Sequence, residues 1–221
     1  MTDAQLTPTE RTQLKRHRER GSFDRKTIYE IIDATPTCHV AFLLHGKPAV
    51  VPTLHWREGD RVYWHASTGS QAARSASGND VCLNVSILDG LVLARSAFHH
   101  SANYRSVTIF GKAVLISDLE KKRERLKTFL EGLYPGRWNQ LRPIKDKEIR
   151  ATLLLSLPID EASAKIRVGQ PVDDEEDYDT PVWAGVIPIA RQFLEPIPDS
   201  KSLSDVNIPP YVKDLVQNSG I

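Results

Sequence analysis

Hydrophobic and polar residues alternate with a period of two along most of this chain, as they do in half-buried β-strands. In the run 81–87, for example, Val81, Leu83, Val85 and Ile87 fall on one face. Polar, glycine-containing turns separate the first runs, which favours hairpins in meander order. The pattern predicts strands at 37–44, 49–57, 61–66, 81–87, 91–94, 103–116, 152–157 and 162–168.

Apolar residues recur at helical spacing at 23–33 and 118–130, and a short polar helix is predicted at 69–77. The first segment places Ile28, Ile31 and Ile32 on one side, and the last is amphipathic. The predicted N-caps are Ser22 or Asp24 for the first helix and Ser117 or Asp118 for the last.

Strands outnumber helices and do not alternate with them as in βαβ units. The sequence therefore predicts a mainly β fold, an antiparallel β-barrel with a few helices. A Rossmann fold is disfavoured because the chain has no G-x-G-x-x-G motif. We divide the chain into a flexible, solvated N-terminal arm (1–21), one barrel domain (22–190) and an extended, Pro-rich C-terminal tail (191–221).

Composition restricts the classes of function. The 221 residues carry a formal net charge of +1, so we expect no nucleic-acid partner. No run approaches the roughly 18 apolar residues of a membrane span, and the polar N-terminus lacks an apolar signal core, so we expect a cytoplasmic protein without a membrane partner. Cys38 and Cys82 lie in apolar runs, which favours buried reduced thiols.

The run 98–118 (FHHSANYRSVTIFGKAVLISD) carries the strongest indication of function. Its strand places Arg105, Val107 and Ile109 on one face, with Tyr104, Ser106 and Thr108 on the other. The polar and aromatic cluster that precedes it is not needed for a strand to fold. We interpret the cluster as part of a site for a polar ligand.

The segment 63–74 (YWHASTGSQAAR) ends a strand and opens a helix with small hydroxyl residues and a glycine. Free N–H groups at a helix start attract anions, and Arg74 lies one turn after Ser70, where it would neutralise a phosphate. An ordinary Ser or Thr N-cap is the alternative. His65, at the end of the strand, is a candidate proton donor or cofactor contact, or else a structural histidine.

Two cations, Lys165 and Arg167, share a strand face at roughly 6.6 Å spacing, with Ala164, Ile166 and Val168 toward the core. They are either solvated or positioned to hold a phosphate or the anionic edge of a reduced flavin. The seven histidines show no helical metal-ligand spacing, so we expect no metal site.

Four segments together resemble the pyridoxamine 5′-phosphate oxidase-like, FMN-binding split-barrel superfamily, in particular its branch of flavin-binding proteins related to nitroimidazole-resistance proteins. These segments are VYWHASTGS (62–70), NYRSVTIFGKA (103–113), YPGRW with RPI (134–144), and EASAKIRVG leading to PVWAGVIP (161–188). A C-terminal Arg-x-Trp element of the oxidases proper is missing, because Pro181 stands two residues before Trp183. The resemblance therefore does not imply oxidation of pyridoxamine phosphate itself.

The resemblance implies a homodimer with two FMN molecules between the subunits. It places the flavin ring against the strand matching 51–56 and the phosphate at the turn matching 65–71. It also implicates the histidine matching His65 at the active site. The implied cofactor-binding residues are Thr53, Leu54, His55, His65, Ser67, Thr68, Ser70, Gln71, Tyr104, Arg105, Ser106, Lys165, Arg167 and Trp183.

Our leading hypothesis is an FMN-dependent oxidoreductase acting on a small molecule, with a nicotinamide nucleotide as electron donor and Lys165 or Arg167 stabilising the reduced flavin. A flavin carrier or sensor without turnover is one alternative. A heme-binding split barrel is another, motivated by His55, His65, His99 and His100.

Overall fold

The computed structural model describes residues 4–202 and 206–217, which form one antiparallel sheet with five α-helices. The strands are β1 (Gly21–Ser22), β2 (Thr37–Leu44), β3 (Lys47–Glu58), β4 (Arg61–Ser67), β5 (Asp80–Leu93), β6 (Ser101–Lys112), β7 (Val114–Ile116), β8 (Thr152–Pro158), β9 (Glu161–Arg167) and β10 (Gly185–Pro188). The helices are α1 (Arg25–Asp33), α2 (Gln71–Ala76), α3 (Leu119–Leu133), α4 (Asp146–Arg150) and α5 (Pro210–Gln217). The predicted mainly β, antiparallel fold is confirmed.

The strand order across the sheet is β1-β9-β6-β5-β2-β3-β4-β8-β7. Strand β10 pairs with the last part of β5, on the edge whose first part pairs with β2. The inner face of the curved sheet carries the apolar core, including the predicted set Val81, Leu83, Val85 and Ile87, all of which are buried. We call the opposite side the outer face.

Strand β5 corrects one prediction. Residues 81–94 were expected to form a strand, a turn at 88–90 and a second short strand. They form one strand with a β-bulge between Leu88 and Gly90, because β6 pairs with both halves. Gly90 also permits the close approach of β10, since a Cβ there would lie 3.0 Å from the Ile187 carbonyl oxygen.

The long strand predicted at 103–116 is divided in two. Strand β6 ends at Lys112, and β7 leaves β5 to pair with β8 instead. The predicted faces of β6 are confirmed by the register, in which Tyr104 lies opposite Arg167 and Ser106 opposite Lys165. Val107 and Ile109 are fully buried on the inner face.

The predicted caps and helical faces are present. The Asp24 carboxylate accepts a 2.7 Å hydrogen bond from Thr27 N at the start of α1, and Ile28, Ile31 and Ile32 are buried. Asp118 caps α3 through Lys121 N at 2.8 Å. Helix α4 and strands β1 and β10 were not predicted, because each is short and carries no clear periodicity.

Strand β3 pairs with β4 only over its last residues, which leaves the gap in the sheet that is typical of a split barrel. Residues 47–54 pair only with β2, and residues 55–58 pair with β4. Pro48 and Pro52 lie in the first part, where a missing N–H suits a strand with a free edge. The last residues of β4, Ala66 and Ser67, pair with β8 and not with β3. A cleft therefore separates β3 from the end of β4.

Both terminal segments differ from the expected solvated arm and extended tail. Leu6 and Thr12 are buried, and Thr9 and Arg11 bind the Glu161 carboxylate of β9. The tail contains helix α5, which was not predicted. A further correction concerns Val168, which was expected to face the core and is 77% exposed because β9 ends at Arg167.

Both cysteines are free thiols, as predicted. Cys38 is fully buried on the inner face, and burial raises its pKa to about 12. Cys82 is only half-buried. No helix in the described part of the chain is long and apolar enough to cross a membrane.

Candidate functional site

The cleft between β3 and β4 is closed on one side by helix α2. Its floor is apolar, formed by core residues such as Phe42 and Trp64, and a cavity of about 160 Å³ remains inside. Thr53 and Ser70 contribute the hydroxyl groups. The predicted residues Thr53 and Ser70 are thus brought together, while Leu54 points to the outer face and is 42% exposed. Pro52 and Ala66 also line the cleft; they lie within the predicted ranges 51–56 and 65–71 but were not among the implied cofactor-binding residues.

The turn that enters α2 is largely satisfied by its own hydrogen bonds. Ser70 Oγ accepts from Ala73 N at 3.2 Å, so the ordinary N-cap alternative is present. Ser67 Oγ accepts from Gly69 N at 3.1 Å. The Arg74 guanidinium donates to the Thr68 carbonyl at 2.6 Å, so it is not directed at a cleft ligand. The expected role of Arg74 as a phosphate partner is therefore not supported by this geometry.

Gln71 and Thr68 lie at the exposed rim of the cleft. The Gln71 amide nitrogen lies 2.9 Å from His45 Nε2 in the β2–β3 turn, which ties α2 to that hairpin. Among the described residues, the backbone N–H groups of Gln71 and Ala72 have no acceptor, as is normal in a first helical turn. These two amides are the donors that the turn can offer to a ligand.

His65 lies on the outer face, away from the cleft lining. Its ring is 5.1 Å from the Phe129 ring of α3 and 6.2 Å from Trp56, measured between centroids. Its Nδ1 is buried without a hydrogen-bond partner among the described residues. Burial lowers the pKa of His65, so the imidazole is held neutral. The Nδ1 of His55 is buried without a partner in the same way, and such an atom is where a ligand or an internal water would bind.

His55, predicted as a flavin contact, is a core residue instead. It is buried on the inner face, and its Nε2 lies 3.0 Å from the Ile32 carbonyl at the end of α1. Desolvation lowers its pKa, with an opposing effect from that hydrogen bond. The alternation along β3 places 53 and 55 on the inner face, but only Thr53 reaches the cleft, because β4 pairs with β3 from His55 onward.

The cations of β9 share the outer face with two of the predicted β6 residues. Lys165 Nζ lies 6.0 Å from the centre of the Tyr104 ring, and Ser106 Oγ donates to the Lys165 carbonyl at 3.2 Å. Arg167 binds the Asn103 side-chain oxygen and the Gly169 and Gln170 carbonyls. Lys165 therefore remains the more available of the two cations.

Arg105 is separated from its sequence neighbours. It points to the inner face, where it forms a bidentate pair with Asp89 at 2.8 and 2.9 Å. The Arg105 guanidinium is therefore engaged by the carboxylate of Asp89, the residue at the β-bulge of β5. This contact corrects the expectation that Arg105 acts together with Tyr104 and Ser106. Trp183 precedes β10 with 65% of its surface exposed, packed beside Gly185.

The histidines of the polar run before β6 form contacts with other residues of the same chain. His100 Nδ1 lies 2.8 Å from the Ser96 carbonyl, and His99 Nε2 lies 3.3 Å from an Asp174 oxygen. Arg95 pairs with the buried Asp173 carboxylate through its backbone N–H and its guanidinium. The run that we interpreted as a ligand site therefore fixes the acidic loop after β9. Arg95 and Asp173 were missed because they are 78 residues apart in sequence.

Much of the outer face is exposed in the single chain. We call open face the outward side chains of β9, β6, β5, β2 and the first part of β3. Its large apolar members include Leu43, Val50, Leu54 and Leu88, which are 62%, 61%, 42% and 41% exposed. His39 lies among them, exposed, with Asn84 and Pro52 as cross-strand neighbours.

The fold and the cleft define a class of protein. Residues 24–166 match the pyridoxamine 5′-phosphate oxidase family, and the chain belongs to that family, as the sequence segments implied. Its relatives of known structure include split barrels that cover nearly the whole chain.

Two of these relatives carry redox cofactors in their names. The flavocytochrome Anf3 from Azotobacter vinelandii is 50% identical, with 95% of this chain and 98% of that chain covered and a TM-score of 0.91. The FAD and heme binding protein from Mycobacterium smegmatis is 35% identical, with 89% and 97% covered and a TM-score of 0.85. A candidate 5-nitroimidazole resistance protein from Bacteroides thetaiotaomicron is 25% identical, with 65% and 84% covered and a TM-score of 0.54. No curated protein matches the chain.

Proposed function

We propose that this protein binds a flavin and a heme and transfers electrons between a donor and an acceptor, as a redox protein of the flavocytochrome class. The observation that carries the proposal is the 50% identity to a flavocytochrome over 95% of the chain. The second relative, which binds FAD and heme, supports it independently and favours FAD over the FMN that we expected from the sequence. The heme alternative thereby becomes part of the main proposal.

The cleft between β3 and β4 fits one side of a flavin. It combines an apolar floor with hydroxyl groups from Thr53 and Ser70 and the free amides of Gln71 and Ala72. A bound flavin supplies hydride and single-electron chemistry that side chains lack. Cofactor sites usually enclose about 300–1,000 Å³, so the 160 Å³ of this cleft would cover only part of the group. The remaining wall must come from another surface.

A second copy of the chain is the surface that we propose. Large contiguous apolar patches are rare on monomers, and the open face carries several exposed leucine and valine side chains beside the cleft. A two-fold dimer that buries this face would enclose both clefts and bring Lys165 into the interface. In this homodimer Lys165 would stabilise negative charge on the reduced flavin ring.

His65 is the residue that we propose as the heme ligand. Heme iron binds a neutral imidazole nitrogen, and burial already holds His65 neutral. Its Nδ1 has no hydrogen-bond partner among the described residues, and a heme would have to enter beside Trp56 and Phe129, which pack against the imidazole ring. This role replaces the proton-donor role that the sequence suggested, since the imidazole lies away from the cleft lining.

An absorption spectrum of the purified protein tests the proposal. We expect flavin bands together with a Soret band, or a Soret band on titration with hemin, and release of FAD on acid precipitation. His65→Ala should shift or abolish the Soret band while flavin binding persists. His100→Ala is the matched control, because His100 is exposed and bound only to the Ser96 carbonyl. A protein that takes up flavin but no hemin would overturn the heme part.

A flavin oxidoreductase without heme is the second candidate, supported by the shared face of Lys165 and Arg167. A nicotinamide nucleotide would then reduce the flavin, and a small molecule would reoxidise it. Lys165→Ala should lower the rate of anaerobic flavin reduction, with Lys47→Ala as an exposed control. Tight flavin binding without reduction by either nicotinamide would favour the carrier or sensor alternative instead.

A further inference from the structure

A C-terminal arm, which we define as the described residues 192–202 and 206–208, exposes apolar side chains to solvent. Leu194, Ile197 and Val206 are 71%, 95% and 67% exposed. Local order in the arm comes from Asp199, which accepts hydrogen bonds from the N–H groups of Lys201 and Ser202. Exposed apolar clusters of this kind mark interaction surfaces.

The arm is anchored on its own barrel at both ends. Before it, Ile189 N donates to the Asp89 carbonyl at 2.9 Å, and Arg191 donates to Thr35 Oγ1 at 3.5 Å. After it, the Tyr211 hydroxyl in α5 binds Arg137 at 3.0 Å and Gln140 at 3.3 Å. The middle of the arm is therefore held beside the barrel, so less conformational entropy is lost when a partner orders it.

The arm leaves the barrel at the rim of the open face. Thr35 lies two residues before β2, and the first residue of β2 pairs with Leu54 of the open face. The arm nevertheless does not cover that face, since Leu54 and Leu43 remain exposed. Pro196 and Pro198 lack N–H donors, so this part of the arm is unsuited to pair as an added strand and offers its side chains for contact instead.

We propose that the arm of each copy packs its apolar side chains onto the rim of the open face of a second copy. The proposal rests on the homodimer put forward above. When two open faces meet across a two-fold axis, a segment at the rim of one face lies next to the rim of the other. Each arm then buries its own exposed side chains and narrows the partner's cleft at the same time.

A paired substitution in the arm tests this contact. Leu194→Ser with Ile197→Ser should raise the dimer dissociation constant at least tenfold, measured by sedimentation velocity over a dilution series. Val172→Ser is the control, because Val172 is 70% exposed but lies outside both the arm and the open face. Unchanged dimerisation of the double variant overturns the arm contact and leaves the dimer standing. A wild-type protein that is monomeric at micromolar concentration overturns both.

An environment-sensitive dye supplies a second readout that does not depend on loss of affinity. The dye is attached at Ile197→Cys in a Cys82→Ser background, since Cys38 is buried. We expect the emission to shift to the red as dilution dissociates the dimer, with no shift for a dye at Val172→Cys. An emission spectrum that stays constant across the dissociation range overturns the proposal.

Discussion

The outer face of the sheet has two halves, one covered by a helix and one exposed to solvent. Over β4 and β8, helix α3 covers the sheet: Phe129 packs on His65, and Arg125 lies over Tyr63 while pairing with Glu58. Over β2, β5 and β6, the same kind of surface stays open, with Leu43 and Leu88 in solvent. The covered half is thus a second small core, whereas the apolar side chains of the open half remain in contact with solvent.

The difference shows that apolar character alone does not assign a role to a sheet face. Leu154 and Leu43 are both leucines on the outer face, yet Leu154 is fully buried and Leu43 is 62% exposed. What distinguishes them is the amphipathic helix α3, which follows β7 and returns across β4 and β8 but stops short of β2. Stability should therefore depend on the covered half and assembly on the open half.

The largest expected effect separates these two leucines. Leu154→Ala should lower the free energy of unfolding by about 3 kcal/mol, because it leaves a cavity beneath α3. Leu43→Ala should change it by less than about 0.5 kcal/mol and should instead weaken self-association. Urea unfolding at one low protein concentration measures the first, and sedimentation measures the second. Equal losses of stability would contradict the division.

Lys122 sharpens the comparison within the covered half. Its buried ammonium donates to the Thr152 carbonyl at 2.6 Å and the Ile149 carbonyl at 3.4 Å, which ties α3 to α4 and β8. Lys122→Met should cost about 2 kcal/mol of unfolding free energy, since both carbonyls lose a donor. Lys121→Met, exposed on the same helix, is the control, and a similar cost there would remove the argument.

Acidification should destabilise the protein through its buried histidines. Burial lowers the pKa values of His55 and His65 from 6.5. Below pH 6.5 the unfolded chain therefore binds more protons at these two histidines than the native state does. Stability is fully present above pH 6.5 and falls below it, with a slope of up to about 1.4 kcal/mol per pH unit for each histidine. His55→Gln should reduce the slope in heme-free protein, measured by urea unfolding at several pH values, and a slope unchanged by this substitution would contradict the argument.

The smallest effect concerns the cleft. Ser70→Ala removes the cap of α2 and should cost about 1 kcal/mol of unfolding free energy. Because Ser70 also lines the cleft, flavin affinity should fall in the same variant. Ser70→Asp keeps a cap and should restore stability, but it should not restore flavin affinity if the cofactor phosphate lies nearby. Recovery of both properties would limit Ser70 to a structural role.

Local patterns predicted most of the fold. Alternation located β2, β4, β8 and β9 to within about two residues, and capping residues placed α1 and α3. The short elements α4, β1 and β10 carry no periodicity, whereas the two errors in strand bounds share a different cause, which is pairing with a distant strand. The bulge in β5 exists because β6 continues past it, and the break at Ala113 exists because β7 changes its partner to β8. Neither partner is visible from the local sequence.

The candidate site was predictable only in part. The resemblance implied Thr53, Ser70, His55 and Arg105 alike, but only Thr53 and Ser70 line the cleft. The His55 ring instead binds the Ile32 carbonyl, and the Arg105 guanidinium binds Asp89. These contacts depend on the packing of α1 and on the bulge in β5. The aromatic surroundings of His65 require Trp56 and Phe129, which are 73 positions apart in sequence.

Strand β5 has a consequence for how the chain is synthesised. One edge of it receives β2 near its start and β10 near its end, and these two partners come from opposite ends of the sequence. At roughly 5–20 residues per second, some 5–20 s pass between the completion of β5 and the synthesis of β10. During that time the nascent chain presents an unpaired strand edge, the kind of surface that templates aggregation. The edge is closed only when Gly185–Pro188 pairs with the last part of β5.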